Sequence, residues 1–354
     1  EIHDSSSNFK HQLFGVGMGF AAMLVCSVID YHTLCTYVPI LYVVSALMAA
    51  ATRFTPLGTD LTTGSYRWLD LGIINIQPVE LCKIILILTL AVFFTKRLEH
   101  MKSFKTIFLA FVIAIIPTLF IMMQTDMSSS LVLLFVMVMM TIGSGVGWKI
   151  ITPIVGVLTP LIGVFFWYIQ QPGEKFLIPD YIVRRIVGFL NPETERLGVM
   201  YQQNNSMLSI ASGRLYGKRL LEDTAASRNY NDVDVVESDF IWSVIGEEYG
   251  FIGSIAILAL LSVIIIKCFL AAINARDYTG MMIAIGVAAL FSFQTFVNVG
   301  VTTSILPNTG LPLPFLSSGL SSMLSSMMAV GIIINIRIQP ARAGTSSITL
   351  MDVN

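Results

Sequence analysis

The sequence predicts an all-α polytopic membrane protein, and three observations carry that prediction. Apolar residues make up 55% of the 354, and charged residues only 12%. The charges are also gathered together, so that long stretches between them carry none. A soluble domain holds about 25% charged residues, roughly twice what is present here.

The uncharged runs have the length of membrane crossings. Lys105 and Asp126 enclose 20 uncharged residues, Asp126 and Lys149 enclose 22, Lys149 and Glu174 enclose 24, and Glu248 and Lys267 enclose 18. Asp277 and Arg337 enclose 59, room for two crossings and a loop. A hydrocarbon core of ~30 Å takes about 20 helical residues. Open β-structure cannot satisfy its backbone in lipid, so each run is read as a helix. The expected spans are 12–30, 34–52, 79–95, 106–124, 127–146, 149–169, 241–267, 278–300 and 316–336, nine helices in all.

Orientation follows from the short connections. Lys96, Arg97, Lys102 and Lys105 share one loop. Lys149, Lys267, Arg276, Arg337 and Arg342 fall on the same side when the crossings are counted. The positive-inside rule makes that side cytoplasmic, so the N-terminus of this chain is expected outside and the C-terminus inside. The loops 53–78, 170–240 and 301–315 then face outward. An outside start at Glu1-Ile2-His3 without a signal peptide suggests that a leading helix is missing.

The whole chain reads as one membrane domain, with the 170–240 loop inside it. That loop holds 18 of the chain's 43 charges. Its apolar runs, Tyr181-Ile182-Val183 and Met207-Leu208-Ser209-Ile210, suggest folding against the membrane surface. Loops this long are functional or disordered. With eight Lys/Arg against ten Asp/Glu between 170 and 239, it is no nucleic-acid patch. The cysteines (Cys26, Cys35, Cys82 and Cys268) lie in or beside spans without a CxxC pair, which reads as apolar packing. The histidines (His3, His11, His32 and His100) are scattered near helix ends, which argues against a histidine-based metal or nucleophile site.

Several segments could carry chemistry. After Lys83 only 12 uncharged residues follow before Lys96, too few to cross, so the span must include Glu80 and Lys83. The i, i+3 spacing puts both on one face. They are either a self-neutralising pair that packs helices or a functional pair facing a polar cavity. Asp126, in Gln124-Thr125-Asp126-Met127-Ser128, caps the next helix or binds a ligand. Arg67, beside Trp68, snorkels at the interface or grips a phosphate.

Arg184, Arg185, Arg214, Lys218 and Arg219 are solvated singly or, as a set, fit an anionic headgroup such as a diphosphate. Asp239 stands where the polar loop turns into a membrane helix. It is either an N-cap or a general base toward a hydroxyl, and spacing alone favours the cap. The segment 306–319, with Pro307, Pro312 and Pro314, is a rigid re-entrant turn, or one that adds Ser317 and Ser318 as donors to a headgroup.

Taken in order, these segments resemble the SEDS family, the RodA, FtsW and SpoVE group of bacterial envelope proteins, over nearly the whole chain. The resemblance rests on Arg67-Trp68 with Gln77-Pro78-Val79-Glu80 and Lys83, and on Gln124-Thr125-Asp126. It continues through Arg185-Ile186 with Phe189-Leu190-Asn191-Pro192, then Tyr201-Gln202 and Ser206, and Ser212-Gly213 with Leu215-Tyr216-Gly217-Lys218. Asp239-Phe240-Ile241 through Gly246-Glu247-Glu248, and Thr309 through Phe315 with Ser317 and Gly319, complete it. The sequence departs from the family pattern at four places. Asp234-Val235-Val236-Glu237 replaces a proline and histidine before the aspartate, Thr125 a proline, and Arg214 and Leu320 glycines.

The resemblance implies a peptidoglycan glycosyltransferase of the bacterial cytoplasmic membrane, with ten family helices of which this chain matches the second onward. It implies lipid II as substrate, a class B penicillin-binding transpeptidase as partner, and membrane lipids around the chain. Asp239 is then the catalytic residue. Arg67, Lys83, Lys218 and Arg185 would stabilise or position the diphosphate, Glu80 would hold Lys83, Asp126 would orient a neighbour, and Ser317 would contact substrate. A divalent cation (Mg or Mn) could share the diphosphate charge, although no ligand cluster identifies one. The alternatives are a flippase for the lipid-linked precursor and a scaffold that only recruits a transpeptidase.

Overall fold

The computed structural model describes residues 2–59, 66–70, 72, 75–101, 103–171, 178–191, 200–219, 228–233 and 236–339, without the side chains of 2–11 and 148. Glu1, Lys102, Glu174, Pro192, Asp234, Val235 and Arg342, which enter the reading above, lie outside the described residues. Among the described residues seven helices are long and apolar enough to cross a membrane, and two shorter apolar ones, Gln12–Val28 and Met127–Gly143, bring the set to the expected nine.

In chain order the helices are α1 (Ile2–Val28), α2 (Tyr31–Phe54), α3 (Pro78–Lys96), α4 (Phe104–Met123), α5 (Met127–Gly143) and α6 (Trp148–Gln170). Then come α7 (Asp180–Leu190), α8 (Tyr201–Ser212), α9 (Ile241–Ile273), α10 (Tyr278–Thr302) and α11 (Leu320–Ile338). The loop after α2 holds a small antiparallel sheet that the helix-only reading lacks. Its strands are β1 (Gly58–Thr59), β2 (Trp68–Asp70) and β3 (Asn75–Ile76), in the order β1-β2-β3. Leu69 pairs with Gly58 on one side and Ile76 on the other. These short strands lie outside the spans, so the backbone constraint that excludes open sheets from lipid does not reach them.

The chain forms two compact units. One comprises Glu1–Gly147, Val263–Gln294 and Pro314–Asn354; the other comprises Trp148–Ser262 and Thr295–Leu313.

In the first unit α3 is the central helix, packed against α2, α4, α5 and α11. Pro78 opens it at a position that needs no N–H donor, and Leu86, Ile87, Leu90, Ala91 and Phe94 are buried along it. The α1–α2 turn is fastened to the far helices by polar contacts. Tyr31 N donates to Asn335 Oδ1 at 3.0 Å, its hydroxyl donates to Asp277, and His32 Nε2 lies 3.2 Å from Asp277 Oδ2.

In the second unit the long loop folds into α7 and α8 and a short 3-10 turn at Asn229–Asp232. Helix α8 buries polar residues rather than its apolar run. Gln203, Ser206 and Ser209 are buried, whereas Met207 and Leu208 are exposed. Gln203 Nε2 donates to Val301 O (2.9 Å) and Leu306 O (2.8 Å), and Ser206 Oγ donates to Thr302 O (2.8 Å). Those carbonyls belong to the end of α10 and the irregular chain after it, which need donors from elsewhere.

Helix α9 is not the single uninterrupted span that the sequence suggests. It breaks at Gly250 (φ 65, ψ −166), and the segment 214–219 supplies the partners that the break would leave unmet. Phe251 N donates to Arg214 O (2.8 Å) and Ile252 N to Leu215 O (3.1 Å). In return Glu247 O accepts from Lys218 N (2.8 Å) and Glu248 O from Arg219 N (3.1 Å). The approach needs glycine on both sides, since a Cβ at Gly213 would meet Gly246 O at 1.9 Å and one at Gly217 would meet Glu248 O at 2.1 Å.

Candidate active site

Asp239 lies in the turn that leads into α9, two residues before Ile241. It is half-buried between the buried Val233 and Phe240. Its backbone carbonyl accepts from Asn298 Nδ2 at 2.9 Å. Its carboxylate rests on the strap 306–313 that follows α10: Oδ2 lies 2.9 Å from where a Cβ on Gly310 would stand. Gly310 has φ 76, a left-handed conformation that glycine adopts at little cost.

Arg185 reaches the same strap from α7, its Nη1 3.5 Å from Thr309 O and its guanidinium 5.9 Å from the centre of the Tyr181 ring. A carboxylate and a guanidinium far apart in sequence thus meet one three-residue stretch, Thr309-Gly310-Leu311. The strap is held by Gln203 at Leu306 and by Asn308 Nδ2 donating to Gln202 Oε1 (3.3 Å).

Lys218 belongs to a different cluster. Its Nζ lies 2.6 Å from Glu247 Oε1, and Glu247 is fully buried. Glu247 also accepts from Asn229 N and Tyr230 N, both at 3.0 Å. Its neighbour Glu248 accepts from Arg228 Nε and the Tyr230 hydroxyl, again at 3.0 Å. Two segments of the long loop, around Lys218 and over Arg228-Asn229-Tyr230, are so tied to the broken turn of α9. Burial, with the carboxylate of Glu248 second, pushes the Tyr230 phenol up to about 12.

In the first unit Glu80 and Lys83 are a closed pair. Lys83 Nζ donates to Glu80 Oε1 at 2.7 Å, both side chains are buried, and Glu80 Oε2 accepts from Ser325 Oγ of α11 at 2.9 Å. A second serine of α11, Ser321, accepts from Gln77 N at 3.1 Å. The pair therefore neutralises itself and joins α3 to α11 in this state.

Arg67 and Asp126 come together at the α4–α5 turn. Arg67 Nη2 donates to Thr125 O at 2.9 Å, while its Nε is buried without a hydrogen bond among the described residues. Asp126 is the N-cap of α5, accepting from Ser129 N at 3.1 Å. Thr125 has φ 59, a conformation closed to the proline of the family pattern. Ser317 is buried before α11, its carbonyl 3.5 Å from Gln12 Nε2.

Sequence reasoning missed Asn298, Gly250 and the structural use of Glu247 and Glu248. The last two were visible only as a motif. Asn298 had a legible signal, as a carboxamide inside an apolar span, where polar groups are costly and paired. Arg214 has φ 51, which accounts for the glycine that the family pattern has there.

A family model described as cell cycle protein, covering FtsW, RodA and SpoVE, matches residues 1–341. A probable peptidoglycan glycosyltransferase FtsW of Geobacter metallireducens is 33% identical over 338 residues, 95% of this chain and 86% of that protein. The stage V sporulation protein E of Bacillus subtilis is 30% identical over 95% of this chain and 88% of its own length. The peptidoglycan glycosyltransferase MrdB of Escherichia coli is 31% identical over 91% and 83%.

Among solved structures, a chain of a peptidoglycan synthase complex matches with a TM-score of 0.76 at 23% identity, covering 94% of this chain and 91% of that one. The rod-shape-determining protein RodA of Thermus thermophilus matches with a TM-score of 0.64 at 24% identity, covering 94% and 88%. At that identity the two structures speak for the fold, an all-α polytopic membrane fold.

Proposed function

The chain belongs to the FtsW, RodA and SpoVE family, and on that premise we propose that it is a peptidoglycan glycosyltransferase that polymerises lipid II at the outer face of the cytoplasmic membrane. The relatives named as peptidoglycan glycosyltransferases support the activity. The observation that carries the mechanism is the seat of Asp239, a carboxylate resting against Gly310 with Arg185 on the adjoining carbonyl.

The reaction is an inverting glycosyl transfer. The 4-hydroxyl oxygen of the acceptor sugar attacks the anomeric carbon of the donor, and the bond from that carbon to the lipid diphosphate breaks. Asp239 takes the hydroxyl proton, and the electron pair leaves with the diphosphate. Stabilising the charge that grows there lowers the barrier. Arg185 reaches the strap on which the base rests, and Arg67 keeps a buried N–H that makes no hydrogen bond among the described residues. Lys218 and Lys83 would have to leave Glu247 and Glu80 to serve the diphosphate. Asp126 acts through its cap, which shapes the turn that Arg67 grips, and Ser317 remains a substrate contact of the segment before α11.

Among the described residues no three His, Cys, Asp or Glu side chains converge into a metal cage. A divalent cation would draw its ligands largely from diphosphate and water. The positive-inside count places the N-terminus of this chain outside and the C-terminus in the cytoplasm, within one membrane domain. A class B penicillin-binding transpeptidase is the proposed partner, supported by the match to a chain from a peptidoglycan synthase complex.

The test is polymerisation of labelled lipid II by the purified full chain, with and without such a transpeptidase. Polymer from the wild type and none from a folded Asp239→Asn variant is the expected result. Equal polymer from both removes Asp239 as the base. Lipid flipping in vesicles without polymer under any condition favours translocation.

A further inference from the structure

We infer that Asn298 is a positioning residue for the catalytic carboxylate, binding the backbone of Asp239 and the wall behind its side chain to one helix. This rests on the reading of Asp239 as the base. Asn298 is buried in α10, and its two amide hydrogens go to two different loops. One bonds Asp239 O at 2.9 Å and the other Leu311 O at 2.7 Å. Those residues are 72 positions apart in the sequence, and neither lies in a helix that could supply its carbonyl with a partner.

The geometry leaves one orientation of the carboxamide. Asn298 Oδ1 is buried and makes no hydrogen bond among the described residues. Turning the amide over would set that oxygen against two carbonyl oxygens and lose both donors. A buried acceptor left unmet has a cost of about 1–3 kcal/mol, which this site bears in order to place two donors at one point. A hydroxyl could serve one of the loops, and an aspartate at that position at most one, when protonated.

Leu311 matters because of its neighbour. Holding Leu311 O fixes Gly310, whose Cα is the surface on which Asp239 Oδ2 rests, with 2.9 Å left to a Cβ there. Thr309, on the other side, presents the carbonyl that meets Arg185. Asn298 therefore sets three things from one point: the path of the backbone at Asp239, the wall against its carboxylate, and the position of the carbonyl under Arg185. Misplacing a reacting group by about 1 Å costs on the order of 100-fold in rate.

The experiment measures kcat, KM and the pH dependence of labelled lipid II polymerisation by the purified full chain. Its variants are Asn298→Leu, Asn298→Gln, Asn298→Asp and Asp239→Asn, each normalised to the folded, monodisperse fraction. Asn298→Leu is expected to lower kcat by about 100-fold with KM within about threefold, and Asn298→Gln, which keeps both hydrogens, to recover part of that loss. Asn298→Asp keeps the shape and adds a carboxyl behind the base, so the acidic limb of the pH profile moves to higher pH.

A folded Asn298→Leu enzyme with the wild-type kcat and pH limb overturns the inference. If Asn298→Leu does not fold, an unmoved limb in Asn298→Asp overturns it instead. Full activity in Asp239→Asn defeats the underlying reading, and the inference with it. An inactive Asp239→Asn beside unaffected Asn298 variants defeats the inference alone.

Discussion

Replacing Gly250 by alanine tests whether the break in α9 is held by its glycine and by the loop that crosses it. At φ 65, ψ −166 the residue occupies backbone space that is essentially glycine's alone, and a side chain there costs about 1–3 kcal/mol. The alanine Cβ would also stand 2.3 Å from Gly217 N and 2.6 Å from Leu215 O, so the 214–219 segment must retreat. That retreat loosens the four backbone hydrogen bonds across the break, of 2.8–3.1 Å. Each contributes about 1 kcal/mol net, and losing two or three brings the total to about 3–6 kcal/mol.

At about 2 °C per kcal/mol, thermal unfolding of the purified protein in detergent should fall by roughly 6–12 °C. The fluorescence of Trp242, two turns before the break, should report it. Gly156→Ala and Gly163→Ala in α6 are the controls, because a Cβ at either meets nothing within 4 Å. Each should melt within about 1 kcal/mol of the wild type. Gly250→Ala melting with the wild type, or controls falling as far, would refute the reasoning.

Lys83→Met strands the Glu80 carboxylate inside the first unit and should cost about 3–5 kcal/mol. Glu80→Met together with Lys83→Met should restore most of it, and chemical denaturation of both decides; a double variant weaker than the single one contradicts the pairing. Arg214→Gly and Thr125→Gly each relieve a left-handed backbone and should raise stability by about 1 kcal/mol; a lower melting temperature in both variants refutes that reasoning. Tyr230 has its phenol raised to about 12, so its contribution to stability is complete below the ordinary tyrosine value near 10 and is lost as pH climbs through about 12. Tyr230→Phe should remove one phenol from the component of the ultraviolet titration near pH 12, and Glu248→Gln should bring that one phenol to lower pH; an alkaline curve unchanged in Tyr230→Phe refutes the assignment.

The motifs told which residues matter better than how they are used. Both readings of Asp126 and of the Glu80/Lys83 pair were open from the residues, and the geometry shows a cap and a closed pair. Lys218 looked like one of a cationic set, yet its partner is Glu247, 29 residues on and in another element. The apolar run Met207-Leu208-Ser209-Ile210 suggested only that the loop folds against the membrane surface; which side of α8 packs on the protein was not legible, and it is Gln203, Ser206 and Ser209, two of which donate to carbonyls at the end of α10 and after it.

The sequence by itself determined the nine apolar helices, their approximate ends and the family. The reason is that a crossing segment must satisfy its own backbone and match a fixed hydrocarbon thickness, so length and lack of charge are read off locally. Only the tertiary structure decided where a span may break and how the site is held. The break at Gly250 depends on Arg214 and Leu215, and the seat of Asp239 depends on Asn298 and Gly310. Each is a hydrogen bond or a close approach between residues tens of positions apart, and no local pattern records a partner at that distance.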